Sequence, residues 1–182
     1  LADLLSETAK AEIMPRFRRL EKSSIRRKTS RDDVVTESDV AAERMIGEAL
    51  RRRYPGALIV GEEAVSANRA LLDGLADADL AFVVDPIDGT FNFASGLPLF
   101  CVMLAVTMKG ETVAGIIHDP VGGDWVLAAL GGGSFGRDAA GDLTPIRVAD
   151  PVPVGEMTGS LSWQFLAEPD RSRVAANYTR CL

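Results

Sequence analysis

Four carboxylates and one short turn are the parts of this sequence that could do chemistry. The stretch Asp85-Pro86-Ile87-Asp88-Gly89-Thr90 holds two acids three positions apart, with a proline between them and a glycine behind. Pro86 fixes one backbone angle and withholds an amide donor, so it is expected to stop a strand, while Gly89 permits a tight turn. Such a turn aims Asp85 and Asp88 into one small volume. Two close carboxylates repel, and burial makes both harder to ionise, a conflict that a divalent cation removes. With oxygen donors and no nearby Cys or His, the expected ion is hard: Mg²⁺, Mn²⁺ or Ca²⁺. Gly61-Glu62-Glu63 supplies a second acidic end, and Asp39 a further acid. Acids arranged this way suit two or three ions that share ligands, and two ions about 4 Å apart are a common device for phosphoryl chemistry. Gly89 and Thr90 offer backbone N–H groups to phosphate oxygens, and the Thr90 hydroxyl could orient a water. Each feature also has an ordinary reading. Asp88-Gly89 is a common turn pair, Glu62-Glu63 a solvated strand end, and Asp39 a helix-start acid. The combination, with two acids at the ends of apolar strands, favours the metal.

The elements that must position these groups can be read from the apolar spacing. Residues 3–21 place Leu4, Leu5, Ile13, Phe17 and Leu20 on a helix with one buried face. Residues 23–35 read as a polar, basic loop or hairpin. Thr36-Glu37-Ser38-Asp39 resembles a capping box and opens a second helix to about Arg53, with Val40, Ile46, Ala49 and Leu50 as its apolar face. The runs 57–60 and 80–84 read as buried strands. If these are neighbours, Glu62 and Asp85 emerge at the same edge. Residues 100–108 and 112–118 form a hairpin about Lys109-Gly110-Glu111, followed by strands at 125–129, 134–136 and 146–148. Helices followed by consecutive hairpins predict an α+β fold with helices packed on a mostly antiparallel sheet. Pro151 and Pro153 mark a boundary between a domain at 1–150 and the beginning of another at 151–182, where a short strand (159–164) and a helix from Arg171 are expected.

Composition narrows the function classes. The net charge is -6, with residues 1–60 carrying a net of +3 and residues 61–182 a net of -9. The acidic balance argues against a nucleic-acid polymer as general partner. Arg16, Arg18, Arg19, Arg26, Arg27 and Lys28 either form a patch for anions or a solvated face. No apolar run is long enough for a membrane span, and residues 1–10 are not a secretory signal. The two cysteines, Cys101 and Cys181, suggest neither a disulfide framework nor a zinc site, which fits a reducing cytoplasm. Cys101 reads as a small core residue. Gly131, Gly133 and Gly136 have dinucleotide-loop spacing but no apolar helix behind them. His118 lacks the nucleophile elbow that a serine hydrolase needs, and reads as a strand end.

Taken together, Asp85-Pro86-Ile87-Asp88-Gly89-Thr90 with Asn92-Phe93 and Gly96-Leu97-Pro98 resembles the first signature of the inositol monophosphatase family. Gly61-Glu62-Glu63 resembles its Gly-Glu-Glu element, and Lys28, Asp33, Val35-Thr36 and Asp39 resemble its Lys…Asp-x-Val-Thr-x-x-Asp element. The resemblance covers roughly residues 1–150. It implies a layered α-β-α-β-α sandwich, of which this chain holds the N-terminal half with the C-terminal half truncated or missing. It implies a Mg²⁺-dependent phosphomonoesterase acting on inositol monophosphate or a related small ester. Nucleotide 3′-phosphate, fructose 1,6-bisphosphate and histidinol phosphate are alternative substrates. By the same resemblance, Glu62, Asp85 and the Ile87 carbonyl would hold one Mg²⁺, and Asp85 and Asp88 a second, with Glu62 contributing to a weaker third. Thr90 with Asp39 or Glu62 would activate water. The Gly89 and Thr90 amides would bind phosphate, and Lys28 would reach the site from its loop. The resemblance further implies a homodimer. The family's second signature, Trp-Asp-x-Ala-Ala-Gly, is absent: Trp163 is followed by Gln164. A chain truly ending at residue 182 would be an inactive binding protein.

Overall fold

The computed structural model describes residues 1–28, 34–159 and 166–178. It divides into two compact units, Leu1–Arg147 and Val148–Leu182. In the first unit, α1 (Ala2–Thr8) continues as a π-helical turn through Ala9–Ile13 and then irregular turns, so the expected first helix is shorter than 3–21. Leu5, Ala9 and Ile13 recur at helical spacing and are fully buried. β1 (Ile25–Arg27) pairs antiparallel with β2 (Val34–Thr36), the hairpin reading of that segment. Asp33 lies outside the described residues.

α2 (Glu37–Arg53) starts where Thr36 predicts. The Thr36 side chain accepts from the Ser38 amide, and Asp39 Oδ2 accepts from the Thr36 amide at 2.9 Å. This box satisfies amides that the first turn leaves without helical partners. The buried face of α2 is Ala42, Ile46 and Leu50; Val40, expected among them, is 43% exposed. Position 40 falls on the opposite side of the 3.6-residue period from the sheet-facing stripe.

The sheet has seven strands in the order β3 (Leu58–Gly61), β4 (Ala81–Asp88), β5 (Cys101–Met108), β6 (Glu111–Asp119), β7 (Asp124–Ala129), β8 (Gly133–Arg137) and β9 (Leu143–Pro145). β3 and β4 are parallel, and all the other pairs are antiparallel. α1 and α2 pack on one face through Phe82, Val84, Val102 and Leu104, so the chain has the mixed α and β architecture expected of it. Two strand bounds differ from expectation. Pro86 does not end β4: the strand runs on to Asp88, and an irregularity between Asp85 and Asp88 absorbs one extra residue against β5. The last strand is Leu143–Pro145 rather than 146–148, and as an edge strand it tolerates a proline. His118 is buried and stacks on Trp125 at 4.1 Å between ring centres, consistent with a structural place at the end of β6.

In the second unit the described elements are a 3₁₀ turn at Val154–Glu156 and α5 (Asp170–Asn177), which agrees with the helix expected from Arg171. The strand expected at 159–164, with Trp163 and Gln164, lies outside the described residues except for Gly159, which is in no element.

Candidate active site

Parallel pairing puts two acidic strand ends side by side. Gly61, the last residue of β3, pairs with Val84 of β4, so Glu62 and Asp85 leave the same sheet edge as neighbours. Burial, then the charges of Glu62 and Asp88, push the Asp85 carboxyl up to about 7. Asp85 Oδ1 is buried with no hydrogen-bond partner. Asp88 is exposed, one turn further along the same bulged strand. Asp85 thus feels the charges of both Glu62 and Asp88. As placed, no three His, Cys, Asp or Glu side chains among the described residues already form a metal-holding cluster. One cationic partner is present instead: Lys28 Nζ lies 2.9 Å from Glu62 Oε1 and 2.7 Å from Glu63 Oε1. Burial acts to lower the Lys28 ammonium, but its bonds to Glu63 and Glu62 outweigh it and hold the group above its ordinary value. Burial wins the other way at Glu63, whose carboxyl is raised despite Lys28.

Gly89 makes the turn beyond Asp88. Its φ of 88° is left-handed, and a Cβ there would sit 2.8 Å from the Leu99 carbonyl oxygen. Only glycine fits both demands. α4 (Thr90–Ala94) begins here, and the Gly89 and Thr90 amides precede its first backbone bond, from Phe93 N to Gly89 O at 3.0 Å. Thr90 Oγ1 lies 3.0 Å from Asp39 Oδ1 and 2.9 Å from the Ile87 carbonyl oxygen. Asp39 is fully buried. Burial raises its carboxyl, and hydrogen bonds from Thr36 and Thr90 act against that rise. Asp39, Thr90 and Ile87 thus meet at one point, although Asp39 lies 51 positions from Thr90 in sequence.

Two participants were not legible in the sequence. Cys101, read as a core residue, is half-buried, and its thiol faces Asp88 Oδ2 at 3.8 Å because β5 pairs Cys101 with Asp88. Burial and the charges of Asp88 and Asp85 push that thiol up to about 12, so it stands in the site as a neutral group. The other is Glu43 of α2. Its carboxylate accepts from the Glu63 amide at 2.7 Å and the Ala64 amide at 3.0 Å, which caps α3 (Glu62–Ala67) from another element. A Cβ at Gly61 would overlap that carboxyl group. One signal was available: α3 opens after a glycine that has no capping side chain, so its amides need a remote acceptor.

Comparison with known proteins shows the family. The model of the inositol monophosphatase family matches residues 2–178. A curated relative from Thermotoga maritima, named fructose-1,6-bisphosphatase/inositol-1-monophosphatase, is 34% identical over 137 residues, covering 75% of this chain and 48% of its own length. A Pasteurella multocida protein named Nus factor SuhB is 40% identical over 105 residues, covering 58% of this chain and 37% of its own. Among solved structures, the Thermotoga maritima IMPase superimposes with a TM-score of 0.68 at 32% identity, over 82% of this chain and 52% of that one. The chain thus spans about half or less of the length of these relatives.

Proposed function

Because the chain belongs to the inositol monophosphatase family, we propose that it supplies the cation-binding carboxylates of a Mg²⁺-dependent phosphomonoesterase, with inositol monophosphate or a related small phosphate ester as substrate. The observation that carries this reading is Asp85, a half-buried acid with one buried, unpartnered oxygen, pressed by the charges of two further carboxylates. Such a group lacks a counter-charge, and the donors around it are oxygens, which suit Mg²⁺ or Mn²⁺. Glu62, Asp85 and the Ile87 carbonyl are the donors for one ion. Asp85 and Asp88 serve a second, and Glu62 contributes to a third. When bound, these ions neutralise charge that builds on the phosphoryl and leaving oxygens and make a water easier to deprotonate.

The chain's own groups do the rest. Thr90 Oγ1 donates toward Asp39 and is left free to accept a hydrogen from a water on its open side, which orients that water's lone pair. Asp39, held by the Thr36 amide, keeps Thr90 in that rotamer and takes up proton density as the water attacks. The Gly89 and Thr90 amides bind phosphate oxygens at the turn. Lys28 adds positive charge beside Glu62. No helix among the described residues is long and apolar enough to cross a membrane. We read the whole protein as a cytoplasmic homodimer without a nucleic-acid polymer as substrate.

The test is phosphate release by the full-length protein from inositol 1-phosphate, a nucleotide 3′-phosphate, fructose 1,6-bisphosphate and histidinol phosphate. Release from at least one that requires Mg²⁺ is expected. No Mg²⁺-dependent release from any of them would refute the reading. A second reading, a binding role of the kind the name Nus factor denotes, is supported by the relatives that carry that name. Full-length protein that folds, takes up Mg²⁺ and turns over none of the esters would favour it.

A further inference from the structure

Beside the carboxylate site, and sharing Lys28, Gly61 and Glu63 with it, the first unit holds a cavity of about 610 Å³ between β1, α2 and the start of α3. Its chemistry is unlike that of the rest of the chain. Arg26 and Arg27 come from β1, and Arg44 and Arg51 from α2. Val40, Arg44, Gly47 and Arg51 follow one another at spacings of four, three and four residues, so they form a single stripe along α2. That stripe runs opposite the buried one and faces the cavity. It explains why Val40 is exposed: with Ile59 it gives the cavity an apolar floor beneath a basic rim.

The charge here is unbalanced. Among the described residues the acids that line the cavity are Glu43 and Glu63, and both are engaged. Glu43 caps α3, and Glu63 is paired with Lys28. Among the described residues, none of the four arginine side chains makes a hydrogen bond or ion pair with the protein. Arg26, Arg27, Arg44 and Arg51 thus line one concavity with no side-chain partner among the described residues, in a chain whose net charge is -6. Arg51 is folded inward over the helix: a Cβ at Gly47 would meet its Nη1 at 3.3 Å. Glycine inside a helix weakens it relative to alanine, and here its absent side chain is the space the guanidinium uses. Planar guanidinium forks match phosphate oxygens, and a cavity of this size accommodates a small organic ligand.

We propose that this cavity is a second ligand site, adjoining the carboxylates at Lys28 and Glu63 but distinct from Asp85 and Asp88, for a small molecule that carries two or more phosphate groups and an apolar or ring portion. The arginines take the phosphates, and the Val40–Ile59 floor takes the ring. The proposal stands independently of ester hydrolysis at the neighbouring site.

The experiment is calorimetric titration of the full-length protein with inorganic tripolyphosphate and, separately, with ATP, both in EDTA so that the carboxylates hold no cation. Both are expected to bind at low salt, ATP more tightly, with affinity falling as salt rises. The double variant Arg44→Ala/Arg51→Ala should weaken both by about tenfold or more. Gly47→Ala should raise thermal stability yet weaken binding, a pairing that loss of fold cannot produce. Asp88→Asn should leave binding unchanged. Three results would each overturn the proposal: no binding of either probe, binding indifferent to Arg44→Ala/Arg51→Ala, or binding only of an RNA oligonucleotide.

Discussion

Asp85 and Thr90 carry the sharpest expectations at the scale of single residues. The Asp85 carboxyl is raised from 3.8 to about 7 in the fold. In the cation-free protein its folded form therefore holds a proton that the unfolded form releases from about pH 4 upward, and this stabilises the fold in acid. That contribution is lost as pH rises through about 7. Asp85→Asn has no such proton to lose. Urea unfolding in EDTA should find wild type less stable at pH 8 than at pH 5, and the variant more stable than wild type at pH 8 by on the order of 1–3 kcal/mol. Equal slopes for the two proteins would contradict the assignment. Thr90→Ala should lower kcat by about 10²–10⁴ with KM little changed, while Thr90→Ser, which restores the hydroxyl, recovers most of it. If the serine variant is as impaired as alanine, the hydroxyl is not the operative group. The Thr90–Asp39 contact shows what the residue types alone could suggest and what they could not. The motif offered Asp39 or Glu62 as partner, and only the packing of α2 against the β4 end places Asp39 Oδ1 beside Thr90.

Elements explain which parts of the site were legible. Thr36 and Asp39 announced the start of α2 because a capping box is local, written within four residues. The nearness of Glu62 and Asp85 followed from two apolar runs that end in acids, once those runs pair in parallel. Three features depended on longer range. The bulge that carries β4 past Pro86 is set by register with β5, and the same register brings Cys101 against Asp88. Val40 is apolar and so is expected inward, but apolar character does not by itself imply burial, and the helix period turns this residue to the cavity. Glu43 contacts Glu63 and Ala64 across 20 and 21 positions, which no periodicity reports. Glu43 belongs to the positioning of α3, and so of Glu62. Glu43→Gln should cost about 1–2 kcal/mol in stability and raise the Mg²⁺ concentration for half-maximal activity, without moving KM at saturating Mg²⁺. A variant with altered stability but unchanged Mg²⁺ dependence would make Glu43 a purely structural cap.

At the scale of the molecule, the first unit brings α1, α2, the seven-stranded sheet and the carboxylates together in one body. The chain spans about half or less of the length of the relatives it matches. The central claim is that Glu62, Asp85 and Asp88 form a receptor for hard divalent cations, and it is tested without turnover. The measurement is the thermal midpoint of full-length wild type and of Asp85→Asn, each in EDTA and in millimolar Mg²⁺ or Mn²⁺. Wild type should gain several degrees with either ion, since a ligand that binds only the folded state stabilises it, and Asp85→Asn should gain little. A wild type whose midpoint ignores both ions, or a variant that gains as much as wild type, would contradict the account.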